Sequence, residues 1–526
     1  MRLRLIVLLV LLSFFAVSLP AQEPEHRTEE KTTTESKTVE KKGKLPESGA
    51  KEAQAEQPKK PEPEPVVTHH QITVNGKTLH YTATTGRLPI KDDEGKVEAE
   101  MFFMAYTLDG GGPKRPLTFS FNGGPGSSSV WLQLGAIGPR RVRLLPSGFM
   151  PHPPFELEDN QYTWLDQTDL VFIDPVGTGY SRATKKDEAK KFYSVEGDIE
   201  SVGNFIRLYL SRYERWSSPL FLAGESYGTT RAAGLSGYLI DHGVAFNGIV
   251  LVSTVLNFET LEFTRGNDLP FILYLPSYTA AAWYHKKLAP ELQADVKKAL
   301  RESEQYASGP YTDALAKGDR LTAQERQSVI ENLSRLTGLD KQYIDNANLR
   351  VEEGQFGKEL LRNQHEIIGR IDARFTAPDL DGVGGQVEFD PSIAATRPPF
   401  TAMFNQYVRT ELGYKTDMQY NILGMGVNRE WNWGSAGQGF PNTAEALREA
   451  FVKNNYMKLF VASGWFDLAT PYYATQYTLA HLALPANLRS NITTGYYDSG
   501  HMMYLHDQSL AHLKQDVSAF ITNALK

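Results

Sequence analysis

The sequence predicts an α/β protein: a mostly parallel central sheet, antiparallel strands at its N-terminal side and a large helical cap insertion. Three observations predict it. Short apolar runs recur at 117–121, 170–173, 219–223, 249–253 and 458–462. Runs without polar alternation mark strands buried on both faces. Most of them end in a Gly-rich or Asp-bearing turn, with helical stretches at 198–213, 229–241 and 471–482. Strand–turn–helix repetition implies parallel strands joined by right-handed crossovers. The rhythm then breaks between 254 and 456, where 277–303, 322–336, 357–370 and 400–412 read as helices.

The elements follow in chain order. Residues 1–4 (MRLR) are basic, 5–19 are apolar, and Ala21 precedes a charged stretch. That is the pattern of a secretory signal peptide over 1–21. The apolar run is shorter than the roughly 20 residues that span a bilayer. Export to a periplasmic or extracellular location is therefore expected, with no membrane-spanning segment after cleavage. Residues 22–66 are rich in Glu, Lys, Thr and Pro. They bury too little apolar surface to fold and read as a disordered linker. The folded domain is assigned to 67–526, with the cap insertion at about 254–456. It opens on a hairpin, ITVNGKTLHY at 72–81, whose Asn75-Gly76 suits a two-residue turn. A further strand is expected over 97–106, and a last one over 491–497.

Composition removes several function classes. The chain has no cysteine, so it holds no disulfide, zinc thiolate or thiol nucleophile. A formal charge of −7 over 526 residues offers no basic face for nucleic acid. No cofactor or metal is implied.

The chemistry centres on LFLAGESYGTT at 220–230. A G-x-S-x-G after a buried strand and before a helix is a nucleophile elbow. The flanking glycines, Gly224 and Gly228, admit a sharp, strained turn that lifts the Ser226 hydroxyl above the sheet. The helix starting at Tyr227 offers free N–H groups to a developing oxyanion. A serine needs a base, and the base an orienter. On this architecture they follow in the order acid, then His. Asp467 lies just past the 458–462 strand in SGWFDLATP, and His501 lies in the late turn DSGHMMY. The remaining part is NGGPGSSS at 122–129. Its paired glycines, Gly123 and Gly124, let the backbone approach a substrate. Gly124 N–H and Tyr227 N–H are the expected oxyanion donors.

Together FNGGPGSSS, NQYTW (160–164), DLVFIDPVGTGYS, GESYG, the Asp467 turn and SGHMM resemble the serine carboxypeptidases. These are α/β-hydrolases that remove C-terminal residues, and the resemblance covers about 117–503. It implies the α/β-hydrolase fold, peptide substrates and a Ser226–His501–Asp467 triad. It also implies that Asn122, with the adjacent Gly123, binds the substrate's C-terminal carboxylate, helped by Glu225. A protonated acid can donate a hydrogen bond to a carboxylate, so an acidic pH preference is expected. The chain departs from the family pattern at Ser120 for Trp, Ser127 for Cys and Ala136 for a second Glu. The missing Glu leaves carboxylate recognition incomplete. Arg140, Arg141 and Arg231 are candidate substitutes, each with a purely structural alternative.

Weaker patterns add little. Residues 377–388 partly match a calcium loop through Asp379, Asp381, Gly382 and Glu388, but Ala377 stands at the first position. A Gly-rich loop in the insertion fits better. Trp431 and Trp433 suit aromatic packing or the wall of an apolar pocket. The expected function is an exported serine carboxypeptidase. The alternatives are an esterase or acyltransferase with the same triad, and a non-catalytic binding or scaffold protein of the same fold.

Overall fold

The computed structural model describes residues 64–434 and 439–526. The leader assigned to 1–21 and nearly all of the 22–66 linker lie outside the described residues. Nine strands form the main path of the central sheet. They are β1 (Val66–Val74), β2 (Lys77–Lys91), β3 (Val97–Leu108), β4 (Leu117–Phe121), β5 (Asp169–Ile173), β6 (Leu220–Ser226), β7 (Gly248–Thr254), β8 (Lys458–Gly464) and β9 (Ile492–Tyr497). Their spatial order is β1-β2-β3-β5-β4-β6-β7-β8-β9, and a two-residue strand, Arg182–Ala183, pairs with β3 off this path. Pairing is antiparallel from β1 through β3 to β5 and parallel from there to β9. This is the predicted α/β arrangement.

The apolar runs are buried on both faces because helices cover both. Leu220 and Leu222 face one core and Phe221 and Ala223 the other, as the period of two in a strand requires. On the first face lie α1 (Val195–Arg212) and α2 (Tyr227–Asp241), with Phe205 and Tyr209 packed edge-on against Phe103. Ser194 caps α1 through Gly197 N–H, and Glu196 and Asp198 stand in its first turn. Acids there suit the positive end of the helix dipole.

Between β7 and β8 the chain builds a third apolar core, which includes Tyr278, Leu300, Leu333 and Phe356. Three expectations need correction here. The helix expected over 277–303 is three helices, α3 (Leu269–Tyr284), Pro290–Gln293 and Val296–Tyr306. Pro290 starts the second, and the Asp295 side chain caps the third. The stretch 357–370 is α-helical only at its start, within Glu353–Glu359, followed by a 3-10 turn at Arg362–Gln364. His365 turns left-handed (φ 57°), and Glu366–Ile368 then pairs with Thr376–Pro378. The helix expected from 400 begins at Pro391, capped by Asp390, and passes through Pro398 and Pro399 as α4 (Pro391–Thr410).

The calcium-like loop is filled from within. The fully buried Lys358 ammonium bonds Asp379 Oδ1 and Glu388 Oε1, both at 2.5 Å. A protein cation therefore sits where the partial pattern would have placed an ion. Among the described residues no cluster of three or more metal-ligating side chains occurs, and no helix is long and apolar enough to cross a membrane.

Candidate active site

β6 runs straight into α2, and Ser226 occupies the corner with φ 59° and ψ −132°. Positive φ is costly for a residue with a side chain, so surrounding structure must hold it. The two glycines explain how. A Cβ on Gly224 would stand 2.2 Å from the Gly228 carbonyl oxygen, and one on Gly228 would stand 2.9 Å from that of Phe121. Any side chain would push the turn off the sheet. Thr229 Oγ1 donates to Ser226 O (2.7 Å) and fastens the first turn of α2.

The loop after β4 lies on this same corner. A Cβ on Gly123 would reach within 2.4 Å of Tyr227 N, so only glycine permits the approach. Gly124 follows at φ 103°. Tyr227 is the first residue of α2, and its N–H has no carbonyl within the helix to bond. Asn122 Oδ1 accepts from Leu132 N (3.0 Å), while its buried Nδ2 has no hydrogen-bond partner.

Asp467 and His501 come from the turns after β8 and β9, and both are buried. His501 Nδ1 lies 2.8 Å from Asp467 Oδ2. Asp467 Oδ1 accepts from Ala469 N (2.8 Å) and Thr470 N (2.9 Å), and Thr470 Oγ1 donates to Oδ2 (2.8 Å). Burial pulls the His501 imidazole down, but Asp467 outweighs it and, with Glu225, holds the group above its usual value. Ser226 and His501 line one cavity of about 400 Å³, together with Asn122, Gly124 and Glu225.

A segment that sequence reasoning missed holds both turns. Leu468 N donates to Arg370 O (3.0 Å), Ala373 N to Phe466 O (2.9 Å) and His501 N to Ile371 O (2.7 Å). Gly500 N donates to Asp372 Oδ2 (3.0 Å), and Arg374 bridges Asp372 to Ser499 Oγ. Residues 370–374 thus clamp the acid and the imidazole from the insertion. Nothing local in RIDAR announces this, because its partners lie about a hundred residues on.

Glu225 is buried beside the serine. Tyr504 OH donates to its Oε2 (2.6 Å). Burial pushes the Glu225 carboxyl up to about 7, against the pull of His501 and of the Tyr504 and Asn122 side chains. The Asn122 amide adds to that pull although its Nδ2 makes no hydrogen bond. Tyr504, three residues past His501, was readable as a neighbour of the site but not as the partner of Glu225.

The arginines named as carboxylate candidates do other work. Arg140 pairs with Asp159 and Glu411, and Arg141 with Glu158 and Asp507. Arg231 bonds Asp198 Oδ2 and the Asn122 carbonyl, both at 2.7 Å, from a fully buried position. None of the three lines the cavity. Ala136 sits in a buried π-turn, Gln133–Ile137, whose carbonyls are held by Asn160 and Thr163 of NQYTW. Trp431 packs edge-on against Tyr227 (centroids 5.1 Å apart), as aromatic core.

The family model described as serine carboxypeptidase matches residues 75–514. The chain belongs to the serine carboxypeptidase family. Among relatives in the family, the pheromone-processing carboxypeptidase KEX1 of Saccharomyces cerevisiae is 34% identical over 158 residues, 27% of this chain and 20% of that protein. The match thus spans about a fifth of the yeast relative. Serine carboxypeptidase S10 family member 1 of Dictyostelium discoideum is 23% identical over 343 residues, 64% of this chain and 73% of that one. The crystal structure of yeast KEX1(delta)p superposes with a TM-score of 0.51 at 17% identity, over 84% of this chain and 91% of that one. That likeness carries the α/β-hydrolase fold.

Proposed function

We propose that this serine carboxypeptidase family member is an exported enzyme that hydrolyses C-terminal peptide bonds through an acyl-enzyme on Ser226. The observation that carries the reading is the 2.8 Å contact of His501 Nδ1 with Asp467 Oδ2, with Ser226 on the wall of the same cavity. Ser226 Oγ attacks the last peptide carbonyl while His501 Nε2 takes the hydroxyl proton. Asp467 fixes the tautomer that bears a proton on Nδ1 and stabilises the imidazolium. The Gly124 and Tyr227 N–H groups hold the oxyanion. The imidazolium then passes its proton to the leaving nitrogen as the C–N bond breaks. Water, deprotonated by His501, attacks the acyl-enzyme and releases Ser226. Asn122 Nδ2 and protonated Glu225 receive the substrate's C-terminal carboxylate. Ala136, an alanine where a second carboxyl belongs, favours an esterase or acyltransferase as the second reading.

The test compares a blocked dipeptide free acid with its C-terminal amide. Release from the free acid alone supports exopeptidase action; equal cleavage of both discards it.

Glu225 sets a pH limb. Below about 7 its carboxyl is protonated and donates; above, its charge repels the substrate carboxylate. KM for the free acid is therefore expected to rise as pH climbs through about 7. His501, held above its ordinary value, must lose its proton to act as base, so it sets the opposing acid limb. In Glu225→Gln the KM limb at neutral pH disappears, because an amide does not titrate. Initial rates over a pH series check this.

Thr470→Val removes the hydroxyl that donates to Asp467 Oδ2 and lies 3.1 Å from His501 Nδ1. A net hydrogen bond is worth about 1 kcal/mol. A fall in kcat of about five- to tenfold is expected, with KM unchanged, in steady-state kinetics.

A further inference from the structure

Two arginines stand on the cavity wall without a hydrogen-bonded partner among the described residues. Arg370 and Arg397 both line it, and both are solvent-exposed. Among the described residues neither guanidinium makes a hydrogen bond or an ion pair. The buried arginines nearby, Arg231 and Arg374, are each bonded to an aspartate.

The two come from different elements and converge. Arg370 belongs to the segment that clamps the Asp467 and His501 turns, and its charge reaches the imidazole. Arg397 lies one helical turn after Ile393 on α4, and both residues face the cavity. The nearby carboxylates, Asp390 and Glu353, act on Arg370 by charge, but neither bonds it. Asp390 Oδ1 accepts from Ser392 N (2.8 Å), and its Oδ2 accepts from Ile371 N (3.0 Å). Glu353, whose field reaches Arg370, is pushed by burial up to about 7, as Glu225 is. The N–H donors of both arginines are therefore left for a ligand.

We propose that Arg370 and Arg397 form a subsite for an acidic side chain, so that the cavity favours peptides bearing Asp or Glu within one residue of the scissile bond. The proposal rests on the carboxypeptidase reading and names its substrate class. The substrate's own C-terminal carboxylate already has Asn122 Nδ2 and Glu225, so the arginines answer a second anion. A guanidinium fork matches a carboxylate in two parallel hydrogen bonds, and a charge-assisted bond is worth about a 10- to 100-fold preference.

The test uses blocked dipeptide free acids with Glu or Gln at the penultimate and at the last position. The parent enzyme is expected to cleave the Glu peptide at least tenfold faster in kcat/KM at one of the two positions. Arg370→Gln and Arg397→Gln bring that Glu/Gln ratio toward one, whatever they do to the neutral peptide, and Arg397→Lys restores part of it. A ratio of one in the parent, with the neutral peptides still cleaved, overturns the subsite alone. So does an equal loss on Glu and Gln peptides with the ratio intact, which would assign the arginines to the C-terminal carboxylate. No cleavage of any peptide overturns the exopeptidase reading and the subsite with it.

Discussion

Ser226→Ala is expected to lower kcat for release of a C-terminal residue by about 10^6-fold, with folding unaffected. The size follows from what the hydroxyl does. Without it no acyl-enzyme forms, and only the oxyanion donors and substrate binding remain, worth about 10^3- to 10^4-fold over water. The fold has little reason to notice. Ser226 is held by its backbone, through Thr229 Oγ1 and the start of α2, and alanine keeps the Cβ already accommodated at φ 59°. His501→Ala and the double variant are expected to lose about as much as Ser226→Ala alone, because nucleophile and base act as one unit. Single-turnover kinetics and labelling by a fluorophosphonate measure this, alongside urea denaturation as the check on folding. Undiminished release in Ser226→Ala would remove the serine from the mechanism. Failure of the parent enzyme to label would favour the non-catalytic binding or scaffold reading of this fold.

The parts of the site that were legible are those written into contiguous sequence. An apolar run followed by a glycine-bracketed serine states both the strand and the turn, because a side chain at Gly224 or Gly228 would collide with backbone at once. Asp467 and His501 were readable because each immediately follows a late strand. What was not legible depends on partners far away in the chain. Arg231 lies one turn past the elbow, where a substrate group is a reasonable guess, yet Asp198 on α1 claims it. The clamp formed by 370–374 begins at the last residue of a stretch read as helix. The left-handed His365 and the pairing of Glu366–Ile368 with Thr376–Pro378 turn that stretch back toward the sheet. Arg397 lay outside the helix expected from 400, whereas α4 begins at Pro391 and carries Pro398 and Pro399 inside it.

Arg231→Leu is expected to be the most destabilising single change near the site, by about 3–5 kcal/mol. The guanidinium is 1% exposed, bonds Asp198 and the Asn122 carbonyl, and lies over the rings of Phe121 and Tyr227. Leucine keeps some of the packing but leaves a buried carboxylate without its cation. Breaking a buried pair costs far more than exchanging the whole pair for apolar groups. Burial already raises the Asp198 carboxyl, and the Arg231 charge is the main force acting against it. Removing Arg231 sends that carboxyl higher still. The sign of the pH effect follows. The folded variant then binds a proton that the unfolded chain has released, so its stability falls as pH rises above the ordinary carboxylate range. The deficit should be larger at neutral pH than under acid conditions. Urea midpoints at the two pH values measure it, and an equal midpoint for parent and variant would refute the account. Adding Asp198→Asn should recover a large part of the loss, since the orphaned charge is gone. What it should not recover is activity, because Arg231 also holds the Asn122 carbonyl and hence the loop that carries Gly123 and Gly124 against the start of α2. A double variant regaining stability without activity would separate the two tasks of this one side chain: balancing a buried charge, and holding the glycine loop against the turn that carries Ser226.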